Sequence, residues 1–439
     1  MSPSSAASRP SSGDSDDGLT GGAIGALLDG FALDERVRAA AHAAAGRLDA
    51  RDPRSSAVRA RVLRAFLDEG IAESDLAGTT GYGYDDAARE RYESLLARVF
   101  RAERALARLS LVSGTHAIVA AIDALAPPGT TMLAANGAPY DTLRHAIQTA
   151  PHALVSRGLR YAEVSRASDG GTDLDALRAA VRERRPGLVF LQRSRGYAVR
   201  RSLAIADIAD AVAAVRDAGT GAIVLVDNCY GELVEEREPL EAGADVIAGS
   251  LIKNVGGGLA PGGGYVAGRA DLIERVAARV YAPGIGAALG PTLGFGRALV
   301  HGLFVAPLVV AETLRGLAFT AALFEALGFA VDPAPGAART DIVQAIRLGS
   351  PERLLAFARG LQRAMPVNAR FAPEPGVVPG YVDPVVMSSG AFVAGATIEL
   401  SCDAPMREPF EVYVQGGLMA EHTALGAALA ADAVLRVPA

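Results

Sequence analysis

From Ala105 onward the chain settles into a rhythm that constrains its fold more than any other feature. Short apolar runs near Ala107–Val112, Thr131–Ala135, Arg160–Val164, Leu188–Leu191, Ala222–Val226, Asp245–Ala248 and Gly264–Ala267 alternate with amphipathic stretches, notably Thr115–Leu125, Asp141–Gln148, Asp173–Arg184 and Ala204–Ala218. Continuous apolar strands separated by helices are the pattern of a sheet buried on both faces, so an α/β fold with a large, mostly parallel seven-stranded sheet is predicted. The rhythm ends after Tyr281 in a Gly/Pro-rich connection over 282–296. Beyond it, a long helix Ala298–Leu327, a helix Pro351–Arg363, strand-like Ile342–Arg347, Gly395–Glu399 and Glu411–Val414, and a closing helix Met419–Leu435 predict a smaller α+β domain. Ahead of the sheet, Ile24–Leu67 and Ala87–Phe100 carry helical periodicity around a Gly/Tyr loop, Gly78–Asp86. The expected division is a disordered extension over 1–22, a helical arm over 23–104, a large domain over 105–296 and a linking helix with small domain over 297–439.

Composition excludes several classes of function. The net charge is −6 and the arginines are dispersed, so no basic stripe offers itself to nucleic acid. The two cysteines, Cys229 and Cys402, form no CxxC pair, which argues against a zinc ribbon or a disulfide framework and fits a cytoplasmic protein. The first residues lack the basic and apolar regions of a signal peptide. The nearest candidate for a membrane span, Ala298–Ala311, is short and carries His301, Gly302 and Pro307, so no membrane partner is expected.

Against 43 basic residues, Lys253 is the sole lysine. A chain that uses arginine everywhere else retains an amine where guanidinium chemistry fails: lysine can lose its proton and condense with a carbonyl, and arginine cannot. Its setting, Gly249-Ser250-Leu251-Ile252-Lys253-Asn254 followed by a glycine-rich run, lies just past a predicted strand, where open α/β sheets bind their ligands. Ser250 and Lys253 have the S-x-x-K spacing of β-lactamases without the companion motifs, and the glycines follow the lysine where a P-loop has them first. Two further strand ends carry candidates. Ser113-Gly114-Thr115-His116 opens a helix with small residues whose backbone N–H groups suit a phosphate, or serve as a plain N-cap. Asp227, ending the strand Ala222–Val226, offers a carboxylate to a cationic ring nitrogen or an arginine; a metal would need more ligands than Glu232 alone, and Cys229 reads as a small buried residue. A phosphate-bearing aldehyde cofactor accounts for all three at once: phosphate at Gly114, Thr115 and Ser250, ring nitrogen at Asp227, aldehyde at the Lys253 amine. That is the arrangement of pyridoxal phosphate.

The runs Thr80-Gly81-Tyr82-Gly83-Tyr84-Asp85-Asp86, Ser113-Gly114-Thr115-His116-Ala117, Gln192-Arg193-Ser194-Arg195-Gly196-Tyr197, Asp227-Asn228-Cys229-Tyr230-Gly231-Glu232, Gly249-Ser250-Leu251-Ile252-Lys253-Asn254 and Pro405-Met406-Arg407-Glu408-Pro409 resemble the methionine γ-lyase family of aluminium resistance proteins. These are fold-type I pyridoxal-phosphate enzymes near the cystathionine β- and γ-lyases. The likeness runs from about 60 to 425. Arg201 stands where the pattern has proline, and the first twenty residues are extra. The resemblance implies that Lys253 carries the cofactor, that Asp227 pairs with its ring, that Ser113, Gly114, Thr115 and Ser250 hold its phosphate, and that His116 lies near the ring face. It also implies that Tyr82 and Tyr84 reach the phosphate of a neighbouring subunit, Tyr84 with a catalytic role, in a homodimer or homotetramer. For the substrate carboxylate it points to Arg407, with Arg193, Arg195 and Arg347 as alternatives. The expected activity is β- or γ-elimination from a sulfur-containing amino acid, with no metal. Aldol cleavage, racemisation, or cofactor binding with a metal-tolerance or regulatory role and little turnover are the other readings of the same residues.

Overall fold

The computed structural model describes residues 28, 30, 32–45 and 53–438, so the extension over 1–22 lies outside the described residues, as does part of the helical arm. The large sheet has seven strands in the order β1-β7-β6-β5-β4-β2-β3. They are β1 Arg104–Arg108, β2 Thr131–Ala134, β3 Arg160–Glu163, β4 Leu188–Gln192, β5 Ile223–Asp227, β6 Val246–Ser250 and β7 Gly264–Gly268. Strands β3, β2, β4, β5 and β6 run parallel, while β7 is antiparallel to both β6 and β1. Strands β4, β6 and β7 are buried throughout their length and β5 at all but its first residue, which is why they read as unbroken apolar runs.

A second sheet, in the order β10-β11-β12-β9-β8, comprises β8 Ala330–Asp332, β9 Val343–Arg347, β10 Val385–Ser389, β11 Ser401–Pro405 and β12 Glu411–Gln415, antiparallel throughout. Three of these depart from expectation. Gly395–Glu399 is not a strand: the Glu399 carboxylate accepts the N–H groups of Phe392 and Val393 at 2.9 and 3.1 Å, holding a local loop, and the strand starts at Ser401. Strands β8 and β10, at the two edges, are half-exposed or interrupted by polar residues and carry no continuous apolar run. In the first sheet β1 begins three residues earlier than expected and ends at Arg108, because its register is set by pairing Arg104 to Gly268 through Arg108 to Gly264. The expected helix Asp141–Gln148 divides into a turn Asp141–Arg144 and a π-helical segment His145–Thr149.

The helix Gly296–Ala326 joins the two sheets. His301, Gly302 and Pro307 do not interrupt it, so at 31 residues it is long and apolar enough to cross a membrane. Half of its most apolar window is nevertheless buried against the rest of the protein, and it is tied to the small domain by Thr313 Oγ1 donating to the Gly417 carbonyl at 2.8 Å. Gly302 is one reason for that close packing: a Cβ there would lie 2.3 Å from the Gly256 carbonyl oxygen.

Candidate active site

The carboxyl ends of the parallel strands open on a cavity of about 340 Å³ between the two sheets. Its walls include Ser113, Gly114, Thr115, Asp227, Ser250 and Lys253, so the three strand ends singled out in the sequence converge on one space.

Lys253 follows β6 and stands at the N-cap of a short 3₁₀ turn, Asn254–Gly256. That turn is pinned by Asn254, whose amide donates to the carbonyls of Tyr230 and Glu232 at 3.0 and 2.8 Å, so the lysine is fixed relative to the loop that follows β5. Its Nζ lies 3.8 Å from the centre of the Tyr230 ring, close enough for a cation–π contact. Burial works against the ammonium form, but Cys229, Tyr230 and Asp227 outweigh it and hold the amine well above the usual lysine range. Asp227 ends β5, is buried, and accepts the Cys229 N–H at 3.1 Å. Burial holds its carboxyl above the usual carboxylate range, and Lys253 and the Cys229 N–H offset this only in part.

The opposite wall is the start of the helix Gly114–Leu125. The Ser113 hydroxyl accepts the His116 N–H at 3.1 Å and the Ser113 carbonyl accepts the Ala117 N–H at 3.1 Å. The N–H groups of Gly114 and Thr115 take no partner among the described residues, nor does the hydroxyl of buried Ser250. Two free helix N–H groups beside a free hydroxyl make a site for an anion. Glycine lets this helix start pack closely on the facing wall, since a Cβ at 114 would lie 3.1 Å from Ser250 Cβ and 3.2 Å from Cys229 Sγ.

Other expected residues lie elsewhere. His116 is exposed and does not line the cavity, its backbone being drawn back to Ser113. Tyr82 and Tyr84 are 76% and 56% exposed and also lie away from this chain's cavity. Their loop is nonetheless held firmly: the Asp86 carboxylate accepts Thr79 and Thr292, and the Arg89 guanidinium donates to carbonyls at Gly83 and Gly290. Arg193 is fully buried and spent on Asn228, at 2.7 Å, and Glu235, at 2.8 Å, bracing the loop after β5. Arg195 is bound to Asp332, and Arg347 pairs with Glu411 at 3.1 Å. Arg407 donates to Asp141 and Asp383, each at 3.2 Å, and to the Tyr197 carbonyl at 2.7 Å, and lines a second, smaller cavity that shares Tyr140 and Tyr197 with the first.

The cavity also holds tyrosines that carried no assigned role in the sequence. Tyr140 bonds Thr115 through its hydroxyl at 2.8 Å, and its backbone N–H donates to Gln192 Oε1 at 2.9 Å. It follows the end of β2, so the same strand-end criterion that found Asp227 would have found it. Tyr197 stacks between Tyr381 and Tyr413, with ring centres 5.4 Å apart in both pairs. Tyr381 and Tyr413 reach the site only because the second sheet docks there, which leaves no local trace in the sequence.

The sequence profile of the methionine γ-lyase family matches residues 33–435. A carbon–sulfur lyase involved in aluminium resistance from Clostridium novyi NT superposes with a TM-score of 0.87 at 38% identity, covering 93% of this chain and 98% of that one. A Clostridium acetobutylicum protein provisionally named as a cystathionine β-lyase involved in aluminium resistance gives 0.88 at 40% identity, with 93% and 97% covered. The uncharacterised Bacillus subtilis protein YnbB is 41% identical over 380 residues, 86% of this chain and 90% of its own. The pyridoxal-5'-phosphate-dependent YhfS of Escherichia coli shares the fold at 22% identity, with a TM-score of 0.60 over 87% and 96% of the two chains. With its profile match spanning nearly the whole chain, this protein belongs to the methionine γ-lyase family of fold-type I, pyridoxal-phosphate-dependent enzymes.

Proposed function

We propose that this chain carries pyridoxal phosphate on Lys253 and releases a thiol from a sulfur-containing amino acid by β- or γ-elimination, as a cytoplasmic enzyme. The observation that carries the reading is the convergence of the chain's sole lysine, a buried strand-end carboxylate and a helix start with two free N–H groups on one cavity. The donor set fits the cofactor. The free N–H groups of Gly114 and Thr115 and the Ser250 hydroxyl suit its phosphate, Asp227 suits a protonated ring nitrogen, and Lys253 supplies the amine.

When bound, the cofactor supplies an electron sink for the carbon next to the substrate amine. Asp227 would favour a positive charge at the ring nitrogen. With Asp227 so engaged, one of the groups that hold Lys253 protonated would be withdrawn, and its amine would move toward the free base that can take a proton from the substrate Cα. Tyr230 fixes Nζ by its ring face. Tyr140, oriented by Gln192 and Thr115, and the stacked Tyr197, Tyr381 and Tyr413 wall off water on the substrate side. Arg407 is our choice for the substrate carboxylate, reached by an exchange of partners with Asp141 or Asp383. Tyr82 and Tyr84, exposed on a braced loop, are assigned to the phosphate of a neighbouring subunit in a dimer or tetramer.

The test uses the single lysine. Purified protein should be yellow, borohydride should fix the cofactor to the peptide bearing Lys253, and Lys253→Ala should be colourless. Cysteine, cystathionine and methionine should then be tested for release of α-keto acid and thiol. A colourless wild-type protein that takes up no pyridoxal phosphate would refute the reading. A yellow one that releases neither product from any sulfur amino acid would leave the cofactor and remove the lyase, favouring aldol cleavage, racemisation or a binding role.

A further inference from the structure

The second cavity, about 230 Å³, is lined by Tyr140, Asp141, Tyr197 and five arginines: Arg144, Arg166, Arg195, Arg200 and Arg407. Four of the five come from the large domain. Arg166 follows β3, and Arg195 and Arg200 follow β4, so they stand at the same carboxyl end of the sheet as the lysine cavity. Three of the five are neutralised: Arg144 by Asp141, Arg195 by Asp332, Arg407 by Asp141 and Asp383.

Arg166 and Arg200 differ. Arg200 is buried, at 4% exposure, and its guanidinium donates only to carbonyls: Arg195 at 2.9 Å, Asn136 at 3.2 Å and Ser194 at 3.1 Å. Arg166 is half-buried, and its single hydrogen bond is from Nε to the Asn136 carbonyl at 3.1 Å. Neither forms an ion pair among the described residues. Carbonyls satisfy N–H groups but carry no full charge, so a buried guanidinium of this kind keeps its desolvation cost uncompensated. Burial and the neighbouring Arg166 push Arg200 down to about 9, and Asp227, the carboxylate that acts against this, is the group assigned to the cofactor ring. Space has been kept for the pair: Gly137, with φ +83°, has no Cβ, and one would lie 2.7 Å from Arg166 Nε.

We propose that Arg166 and Arg200 form an anion-binding subsite beside the catalytic cavity, fitted to a carboxylate or phosphate group. Two sources share that chemistry, the far end of a substrate with a second acidic group and a free inorganic anion. Only the substrate arm of the test rests on the lyase reading.

Inorganic phosphate is the probe, titrated calorimetrically at constant ionic strength into the protein loaded with pyridoxal phosphate, so that the helix start at Gly114 is already filled. Saturable binding is expected in the wild type. In Arg166→Gln it should weaken at least about tenfold, in Arg166→Lys less, and in the remote Arg359→Gln not at all. Arg200→Lys, which keeps charge but loses the fork, should also weaken it and guards against a folding defect in any one variant. Competition between phosphate and cystathionine, but not between phosphate and methionine, would assign the subsite to the substrate's second carboxylate. Binding without competition would assign it to a free anion. Absence of saturable phosphate binding in the wild type, or equal binding in Arg166→Gln and Arg200→Lys, overturns the proposal. Failure of lyase turnover with phosphate binding intact would refute the proposed function alone.

Discussion

Replacing Asp227 by asparagine isolates the charge at the strand end. The side chain is buried, and its contact with the protein is to the Cys229 N–H at 3.1 Å, which an asparagine oxygen can still accept. Shape and hydrogen bond are therefore retained, and the charge alone is removed. An ion pair about 4 Å apart is worth about 4 kcal/mol at an effective dielectric constant of about 20, and a neutral amide costs less to bury than a carboxylate. The cofactor-free variant should accordingly melt at the wild-type temperature or above it. Its affinity for pyridoxal phosphate should fall by about two to three decades, at about 1.4 kcal/mol per decade. Turnover should fall further, because the electron sink depends on the ring charge that Asp227 is proposed to maintain. Absorbance titration with pyridoxal phosphate, thermal melting of the cofactor-free protein and steady-state assay of saturated enzyme separate these effects. Affinity within about threefold of wild type together with undiminished turnover would show that Asp227 is not the ring partner.

Glu232→Gln tests a buried acid beneath the site: burial raises the Glu232 carboxyl from 4.5 to about 8, while Tyr265 donates to it at 2.9 Å. The unfolded chain loses this proton near 4.5 and the folded chain keeps it to about 8, so stability falls as pH rises through that window, by an upper limit of about 5 kcal/mol. Glu232→Gln should flatten the dependence and melt higher than wild type above pH 8; an unchanged pH profile of denaturant midpoints would rule this out. Gly249→Ala would place a Cβ 2.6 Å from the Tyr265 ring and 2.8 Å from Glu232, costing about 1–3 kcal/mol in chemical denaturation. Retention of wild-type stability would mean that the Tyr265 ring yields freely. The double variant Tyr82→Phe/Tyr84→Phe removes two exposed hydroxyls, so the melting temperature should hold while pyridoxal-phosphate affinity drops about tenfold in equilibrium dialysis. Unchanged affinity would take this loop out of the neighbouring site.

Much of this protein was legible locally. Strand identity in the large sheet followed from apolar runs such as Ile223–Asp227, because residues buried on both faces have little freedom of type. The carboxyl-end rule then located Asp227, Gly114 and Lys253, since parallel strands deliver their ends to the same edge of the sheet. The antiparallel pairing of β7 with β6 and β1 was not legible, because a buried strand looks the same in either direction. The edge strands β8 and β10 escaped for the opposite reason, having too little apolar surface to mark them.

Arginine roles were settled only by the tertiary structure. Arg193, Arg195, Arg200 and Arg407 look alike in the sequence, yet one braces the loop after β5, one is bound to Asp332, one is buried without a carboxylate and one bridges two aspartates. A guanidinium's function depends on which charges surround it, and those come from distant parts of the chain: Asp332 from β8, Asp383 from just before β10, Glu235 from the loop after β5. The sequence by itself determined where the proposed chemistry is placed, since a lone lysine after a buried strand needs no partner to be recognised. The docking of the second sheet decided what surrounds it, bringing Tyr381 and Tyr413 onto Tyr197, because packing between sheets follows surface shape that no short stretch of sequence contains.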